Sequence, residues 1–304
     1  IGIATFPDCG ADLSGLLRAA DIAMYEAKRA GRQQYRYYDQ EMNGRARSRL
    51  MLEDSVRTAI QNKDFTLVYQ PQVSLVDGRL RGVEVLLRWQ HPSVGDVPPG
   101  LFLPLLEEAR LISQLSAWIY QQIAAQRQAW QAAFDDTLVL SVSLSSSQFN
   151  MPNLVNQLQQ MLERYGLEGY QLEVEISEDC LMSNLEESTK QLTLLRQMGV
   201  RTALDDFGLG NCSLAHLRDL AFDTLKLDPQ LVARLPGSAR DAVMARSIIE
   251  LCGHFEVVVV AEGVETQEQA QWLKANGCPF IQGPLAAQPL MAEEVTDWCR
   301  ARLG

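Results

Sequence analysis

From Leu138 to the C-terminus, strand-forming runs and amphipathic helical segments take turns along the chain, and this alternation restricts the fold more than any other feature. The predicted strands lie near 138–143, 171–177, 200–205, 223–228, 257–261 and 279–282, separated by helical patterns such as Leu154–Arg164 and Leu185–Met198. Ahead of them, Phe65–Val76 and Leu80–Trp89 are rich in strand formers. They flank Asp77-Gly78, a dipeptide typical of a tight hairpin, so those two strands are expected to be antiparallel. Eight strands result. The reading is α/β: a triosephosphate isomerase (TIM)-type (β/α)8 barrel with its first strand antiparallel, a doubly wound open sheet being the alternative.

With 304 residues, 47% of them hydrophobic, the chain can bury a substantial core. Its net charge of -11 argues against a DNA or RNA surface and against a broad anionic-membrane surface, both of which are built from excess Lys and Arg. No apolar run reaches the roughly 18 residues that would span a bilayer, so no membrane segment is expected in this stretch. The start, Ile1-Gly2-Ile3-Ala4, has neither an initiator Met nor a signal pattern and reads as cut from a longer protein. Six scattered cysteines without a C-x-x-C pair suggest reduced thiols and a cytoplasmic setting, with any membrane anchor lying in a missing N-terminal part. The three histidines, His91, His216 and His254, lie too far apart to suggest a histidine-rich metal centre.

Residues 1–40 open with a strand-like I-G-I-A-T-F. A helix follows from about Ser14 to Ala30, with Leu16, Leu17, Ala20, Ala23, Met24 and Ala27 on one face and Gly31 as its stop. Residues 41–64 carry a second helical pattern with Leu50, Leu52, Val56, Ala59 and Ile60, predicted as a linker helix leading into a barrel over residues 65–304.

The stretch V-R-T-A-L-D-D-F-G at 200–208 brings Asp205 and Asp206 together where a strand gives way to a glycine-bearing loop. Adjacent carboxylates repel unless cations neutralise them, and oxygen ligands favour hard ions; two solvated aspartates in a turn are the bland alternative. Further charged groups fall at predicted strand ends: Glu84 and Arg88 four apart on one strand, Glu175 after Leu172 and Val174, Lys226 in T-L-K-L-D, and Glu262 and Glu265 in A-E-G-V-E-T. Acidic residues are poor strand formers and costly to bury, so their recurrence at the carboxyl ends of barrel strands points to a shared divalent cation.

Two resemblances rest on these motifs. Over residues 1–40, I-G-I-A-x-x-P, L-L-R-A-A-D-x-A-M-Y-E-A-K-R-A-G-R and Y-R-Y-Y-D resemble the C-terminal end of a GGDEF (diguanylate cyclase) domain, without the loop that names that family. From about residue 65 onward the chain resembles the EAL family of cyclic di-GMP phosphodiesterases, through Y-Q-P around Gln70, E-V-L-L-R-W from Glu84, Q-L-E-V-E-I-S-E, L-D-D-F-G, L-K-L-D, A-E-G-V-E-T and Gln282-Gly283. The resemblance implies hydrolysis of cyclic di-GMP to linear pGpG with Mg2+ or Mn2+, as two ions. It implies metal coordination by Glu84, Ser143, Glu175, Asp205, Asp206 and Glu262, and catalytic roles for Lys226, Glu262 and Asp206. Gln70, Leu86, Arg88 and Gln282 would contact the dinucleotide, with Glu178 and Glu265 in support. A homodimer and missing upstream regulatory domains are the implied partners. Three departures stand out: Ser143 where the family has an Asn ligand, Ser177 in place of Thr, and Leu209, Asn211 and Cys212 in the loop after Gly208. The first favours an alternative reading, a receptor that binds cyclic di-GMP and cleaves it slowly or not at all. An unrelated barrel enzyme is a third.

Overall fold

In the computed structural model, residues 1–29, 34–62, 64–131, 133–134, 138–208, 220 and 222–303 are described. The predicted stop at Gly31 and the departures at 209–214 lie outside them, as does the side chain of Leu50. The chain forms two units, one of Ile1–Phe65 with Trp89–Leu111, the other of Thr66–Arg88 with Ile112–Gly304.

In the first unit, β1 (Gly2–Ile3) pairs in parallel with β2 (Arg36–Tyr37), and α1 (Leu13–Arg29) lies against them. Gly2 is required by that close approach, because a Cβ there would meet the carbonyl oxygen of Ala20 at 2.0 Å. Ala19, Ala23 and Ala27 form the buried stripe of α1. Leu17 differs from the expectation: it is 58% exposed, since the helix is rotated so that its small residues, rather than its leucines, face the strands. The next helix, α2 (Gln40–Asn62), buries Leu52, Val56 and Ala59, and α3 (Pro99–Glu108) buries Phe102, Leu105 and Leu106. Phe65, Trp89 and Phe102 pack with ring centroids 5.4–5.6 Å apart. His91 is structural: its Nδ1 accepts from the backbone of Ser93 and Val94, so Nε2 donates to Ser55 Oγ at 2.8 Å.

The second unit holds an eight-stranded closed barrel with helices. Its strands are β3 (Phe65–Ser74, from Thr66), β4 (Leu80–His91, to Arg88), β6 (Val139–Leu144), β7 (Leu172–Ser177), β8 (Arg201–Phe207), β9 (Thr224–Leu227), β10 (Val258–Ala261) and β11 (Phe280–Gln282). From β4 through β11 neighbouring barrel strands are parallel; β11 pairs antiparallel with β3, and β3 with β4 closes the ring. The short β5 (Gly95–Val97) pairs only with the end of β4, Trp89–His91, in the first unit.

Two local features depart from a simple pattern. The turn at Asp77-Gly78 is longer than a two-residue hairpin, because Ser74 Oγ accepts from the backbone of Val76 and Asp77 and rounds the chain into a wider loop closed by Ser74 N to Arg79 O, 2.9 Å. Strand β8 continues through both aspartates to Phe207. Leu204 pairs with Leu225 and Phe207 with Leu227, so β8 carries an extra residue there, a bulge with Asp206 at φ +57°. Elsewhere local chemistry agrees with position. Thr266 and Gln269 form the expected capping box, and Ser177 Oγ caps the helix Glu178–Ser183, a hydroxyl role that survives the loss of Thr.

Candidate active site

Side chains two apart on a strand point the same way, and this alternation stacks polar pairs inside the barrel: Ser141 and Ser143, Glu173 and Glu175, Thr224 and Lys226. The second member of each pair lies toward the carboxyl end. There Lys226, fully buried, places its Nζ 2.7 Å from Glu175 Oε2, 2.7 Å from Glu262 Oε1, 3.2 Å from Glu84 Oε2 and 3.5 Å from Asp205 Oδ1. Ser143 Oγ is 3.3 Å from Glu84 Oε1 and 3.1 Å from Glu175 Oε2, with one proton to offer between them. Gln282 Nε2 donates to Glu84 Oε2 and, at 3.2 Å, to Gln70 Oε1.

One ammonium cannot neutralise this many carboxylates. Burial works to lower the Lys226 pKa, but Glu175, Glu262, Glu84 and Asp205 outweigh it and keep the amine charged. Burial, then the charge of Glu84, pushes Glu175 well above the usual carboxylate range. Glu262 is raised to about 8, again by burial first, with Lys226 opposing and Asp205 and Glu84 adding to the rise. Glu84 goes the other way: burial opposes it, yet Lys226 and the donors Gln282 and Ser143 hold it low. Asp206 is raised by its partial burial and by Asp205 and Asp228. Without a further cation, then, the cluster keeps protons that an ordinary group of carboxylates would have lost.

The donor set suits a divalent cation. Glu175 Oε1 is buried with no hydrogen-bond partner among the described residues, and oxygens of Asp205, Asp206 and Glu262 all lie within 4.8 Å of one another. The bulge explains how adjacent residues of one strand both reach that spot, since plain alternation would send them to opposite faces.

Glu84, Ser143, Glu175, Asp205, Lys226, Glu262 and Gln282 are thus brought together, with Asp206 beside them and Gln70 joined through Gln282. Leu86 and Arg88 continue the Glu84 face of β4 and are half-buried; Arg88 Nη1 reaches only Leu87 O, at 3.1 Å, and forms no ion pair among the described residues. Glu178 and Glu265 lie outside the Lys226 cluster. Glu178 is buried at the start of its helix, whereas Glu265 is exposed with its backbone N–H on Gln269.

A layer below the cluster went unread in the sequence. Arg81 Nη2 meets Glu173 Oε2 at 2.7 Å and Thr224 Oγ1 at 2.6 Å, and its Nη1 also reaches Gln72 Oε1; Ser141 Oγ donates to Glu173 Oε1 at 2.9 Å. Glu173 and Gln72 carry a signal, being two residues from Glu175 and Gln70. Arg81 carries none, because alternation from Glu84 points it outward. A cavity of about 620 Å³ at the amino-terminal ends of the strands, lined by Arg81, Arg201, Phe222 and Thr224 among others, contains none of the clustered carboxylates and is not this site.

Comparison with known proteins agrees with the geometry. The sequence matches the family described as "EAL domain" over residues 53–289. It is 34% identical over 301 residues to the cyclic di-GMP phosphodiesterase NbdA of Pseudomonas aeruginosa, covering 99% of this chain and 38% of that protein. It is 37% identical over 295 residues to the bifunctional diguanylate cyclase/cyclic di-GMP phosphodiesterase MucR of the same species, covering 97% and 43%. The chain therefore spans less than half the length of these relatives. A solved structure of PaMucR phosphodiesterase in complex with c-di-GMP superposes with a TM-score of 0.77 at 36% identity, covering 81% of this chain and 99% of that one.

Proposed function

The chain belongs to the EAL domain family, and from that premise we propose that its barrel hydrolyses cyclic di-GMP to linear pGpG with divalent cations. The observation that carries the reading is Lys226 among Glu84, Glu175, Asp205 and Glu262 at the carboxyl rim, a cluster with too much negative charge to serve stability alone. Glu84, Glu175, Asp205, Asp206 and Glu262, with Ser143 as a neutral oxygen, would hold Mg2+ or Mn2+, as one or two ions. Bound there, such ions supply an acidified water and offset charge on phosphoryl oxygens. The chain's own groups do the rest. Arg88, free of any described ion pair, offers a planar fork to a phosphate; Gln70, Leu86 and Gln282 line the approach. Water attacks phosphorus in line, a P–O bond to one ribose breaks, and the ring opens. Lys226 offsets the negative charge that grows on the phosphoryl group, and Glu262, whose own proton a bound cation would displace, takes up the proton of the attacking water and returns it to the departing ribose oxygen.

Incubating the purified protein with cyclic di-GMP and Mg2+ or Mn2+ and separating the products tests this directly. Linear pGpG is expected. Tight binding without linear product would instead support a receptor, the reading that Ser143 favours. Residues 1–40, with a short parallel strand pair and α1, we read as the C-terminal end of a GGDEF domain; α2 is the linker into the barrel, and a homodimer is the proposed assembly. No helix among the described residues is long and apolar enough to cross a membrane.

A further inference from the structure

A line of hydrogen bonds leaves the lower layer and ends on Glu84. Arg81 Nη1 donates to Gln72 Oε1, Gln72 Nε2 donates to Gln282 Oε1 at 3.1 Å, and Gln282 Nε2 donates to Glu84 Oε2. Gln72 and Gln282 are buried, and Arg81 is anchored by Glu173. An amide has a donor end and an acceptor end, whereas a guanidinium has donors only. Gln72 must therefore turn its oxygen to Arg81, which leaves its N–H groups for Gln282. Gln282 must then turn its oxygen to Gln72, and its N–H groups face the carboxylate. Flipping Gln282 would set amine against amine at one end and oxygen against carboxylate at the other.

Building on the metal-dependent reading above, we propose that Arg81 and Gln72 are positioning residues: with Gln70, which donates to Ala287 O and so turns its own oxygen to the Gln282 N–H, they set the amide polarity of Gln282 and keep an N–H on Glu84 Oε2 while Glu84 Oε1 stays turned toward Ser143. The relay orients a carboxylate of the proposed metal site from a layer that never meets metal or substrate. Such outer partners fix the direction of a ligand's lone pairs, and their loss commonly weakens metal binding by 10- to 100-fold.

The test is Gln72→Met, which keeps volume and removes both hydrogen bonds, with Gln72→Glu as a second variant that still accepts from Arg81 but has no donor for Gln282. Ser141→Ala is the control, because Ser141 touches Glu173 without belonging to the line. Two readouts are taken on folded protein. The first is the side-chain amide NMR signal of Gln282 in metal-free protein, assigned by its disappearance in Gln282→Leu. The second is the Mn2+ dissociation constant from the free-ion EPR signal.

Both Gln72 variants are expected to move the Gln282 amide signal; Gln72→Met is expected to raise the Mn2+ dissociation constant about tenfold, the added charge of Gln72→Glu making the amide signal its readout, and Ser141→Ala leaves both near wild type. A merely structural Gln72 would lower the melting temperature and leave both readouts unmoved, which overturns the relay. An unchanged Gln282 signal overturns it even if the protein binds no metal. Wild-type protein that fails to bind Mn2+ removes the enzymatic reading instead, while the amide signal still decides the relay. Should Gln72→Met not fold, Gln72→Glu, which retains the Arg81 contact, carries the amide-signal comparison, and an unmoved Gln282 signal there overturns the relay.

Discussion

Glu173 and Glu175 sit two residues apart on β7, are both fully buried, and live under opposite rules. Around Glu173 the charges balance. Its Oε1 accepts from Arg81 and Ser141, its Oε2 from Arg81 and Thr224, and although burial opposes ionisation, the guanidinium holds the group below the usual carboxylate range. Around Glu175 they do not: among the described residues one lysine serves four carboxylates, and Glu175 Oε1 has no hydrogen-bond partner. Burial and strand are held constant, so the difference lies in stoichiometry. The lower layer is closed and holds the barrel together; the upper layer is short of positive charge, as expected of a place that receives cations.

The largest expected effect separates the two layers by stability. Glu173→Met leaves Arg81 buried without its counter-ion and is expected to lower the unfolding free energy of the metal-free protein by about 3–5 kcal/mol. Glu175→Gln replaces a carboxyl that burial and Glu84 already press to keep its proton, and is expected to leave that stability unchanged or raise it. Urea titrations of the two variants check the contrast, and equal losses would end it.

Cations should sharpen the same contrast. Mn2+ at about 100 times its dissociation constant is expected to stabilise the wild-type protein by about 2.7 kcal/mol. Asp205→Asn, in the upper layer, should lose most of this gain in a thermal melt, whereas Thr224→Val, in the lower layer, should keep it.

A third prediction concerns pH. Glu262 is raised to about 8 in the folded protein, from an ordinary value near 4.5. Between those values the folded state holds a proton that the unfolded chain has released. The resulting stabilisation is complete below about 4.5 and is lost as pH rises through about 8. Metal-free wild-type protein should therefore lose on the order of 5 kcal/mol across that window relative to Glu262→Gln. Parallel curves for the two proteins would show that Glu262 does not carry the surplus proton.

Much of the barrel was legible because its strands are short apolar runs and its helices begin with ordinary caps, as at Thr266 and Gln269. The upper cluster was legible for a related reason: charge at the end of a buried strand violates local preference, and Glu84, Glu175, Asp205, Lys226 and Glu262 all do so. The lower layer was hidden because Arg81 breaks the alternation set by Glu84 and finds partners 92 and 143 positions away, a choice made by tertiary packing. Leu17 misled for the opposite reason, since a helical stripe of alanines closer to the strands took the buried face. The bulge at Asp206 was also out of reach: it depends on the register with β9, which no local pattern announces.

The smallest expected effect lies in the two serines of β6. Ser143 stands at the open end of the barrel, exposed, with its single proton shared between two carboxylates, whereas Ser141 is fully buried against Glu173. Ser143→Asn replaces a short hydroxyl by an amide that can present its oxygen to a cation and its N–H groups to Glu84 or Glu175. Room at the rim lets it do so without repacking. Metal affinity is expected to rise severalfold, about 1 kcal/mol, with a matching gain in hydrolysis at limiting Mn2+. Ser141→Asn forces the same added atoms into a closed layer and should cost about 1–3 kcal/mol of stability with no gain in metal binding. Calorimetric Mn2+ titration of the pair decides whether the barrel interior discriminates by height: if Ser143→Asn binds Mn2+ no better than wild type, the hydroxyl at 143 is not what limits the site.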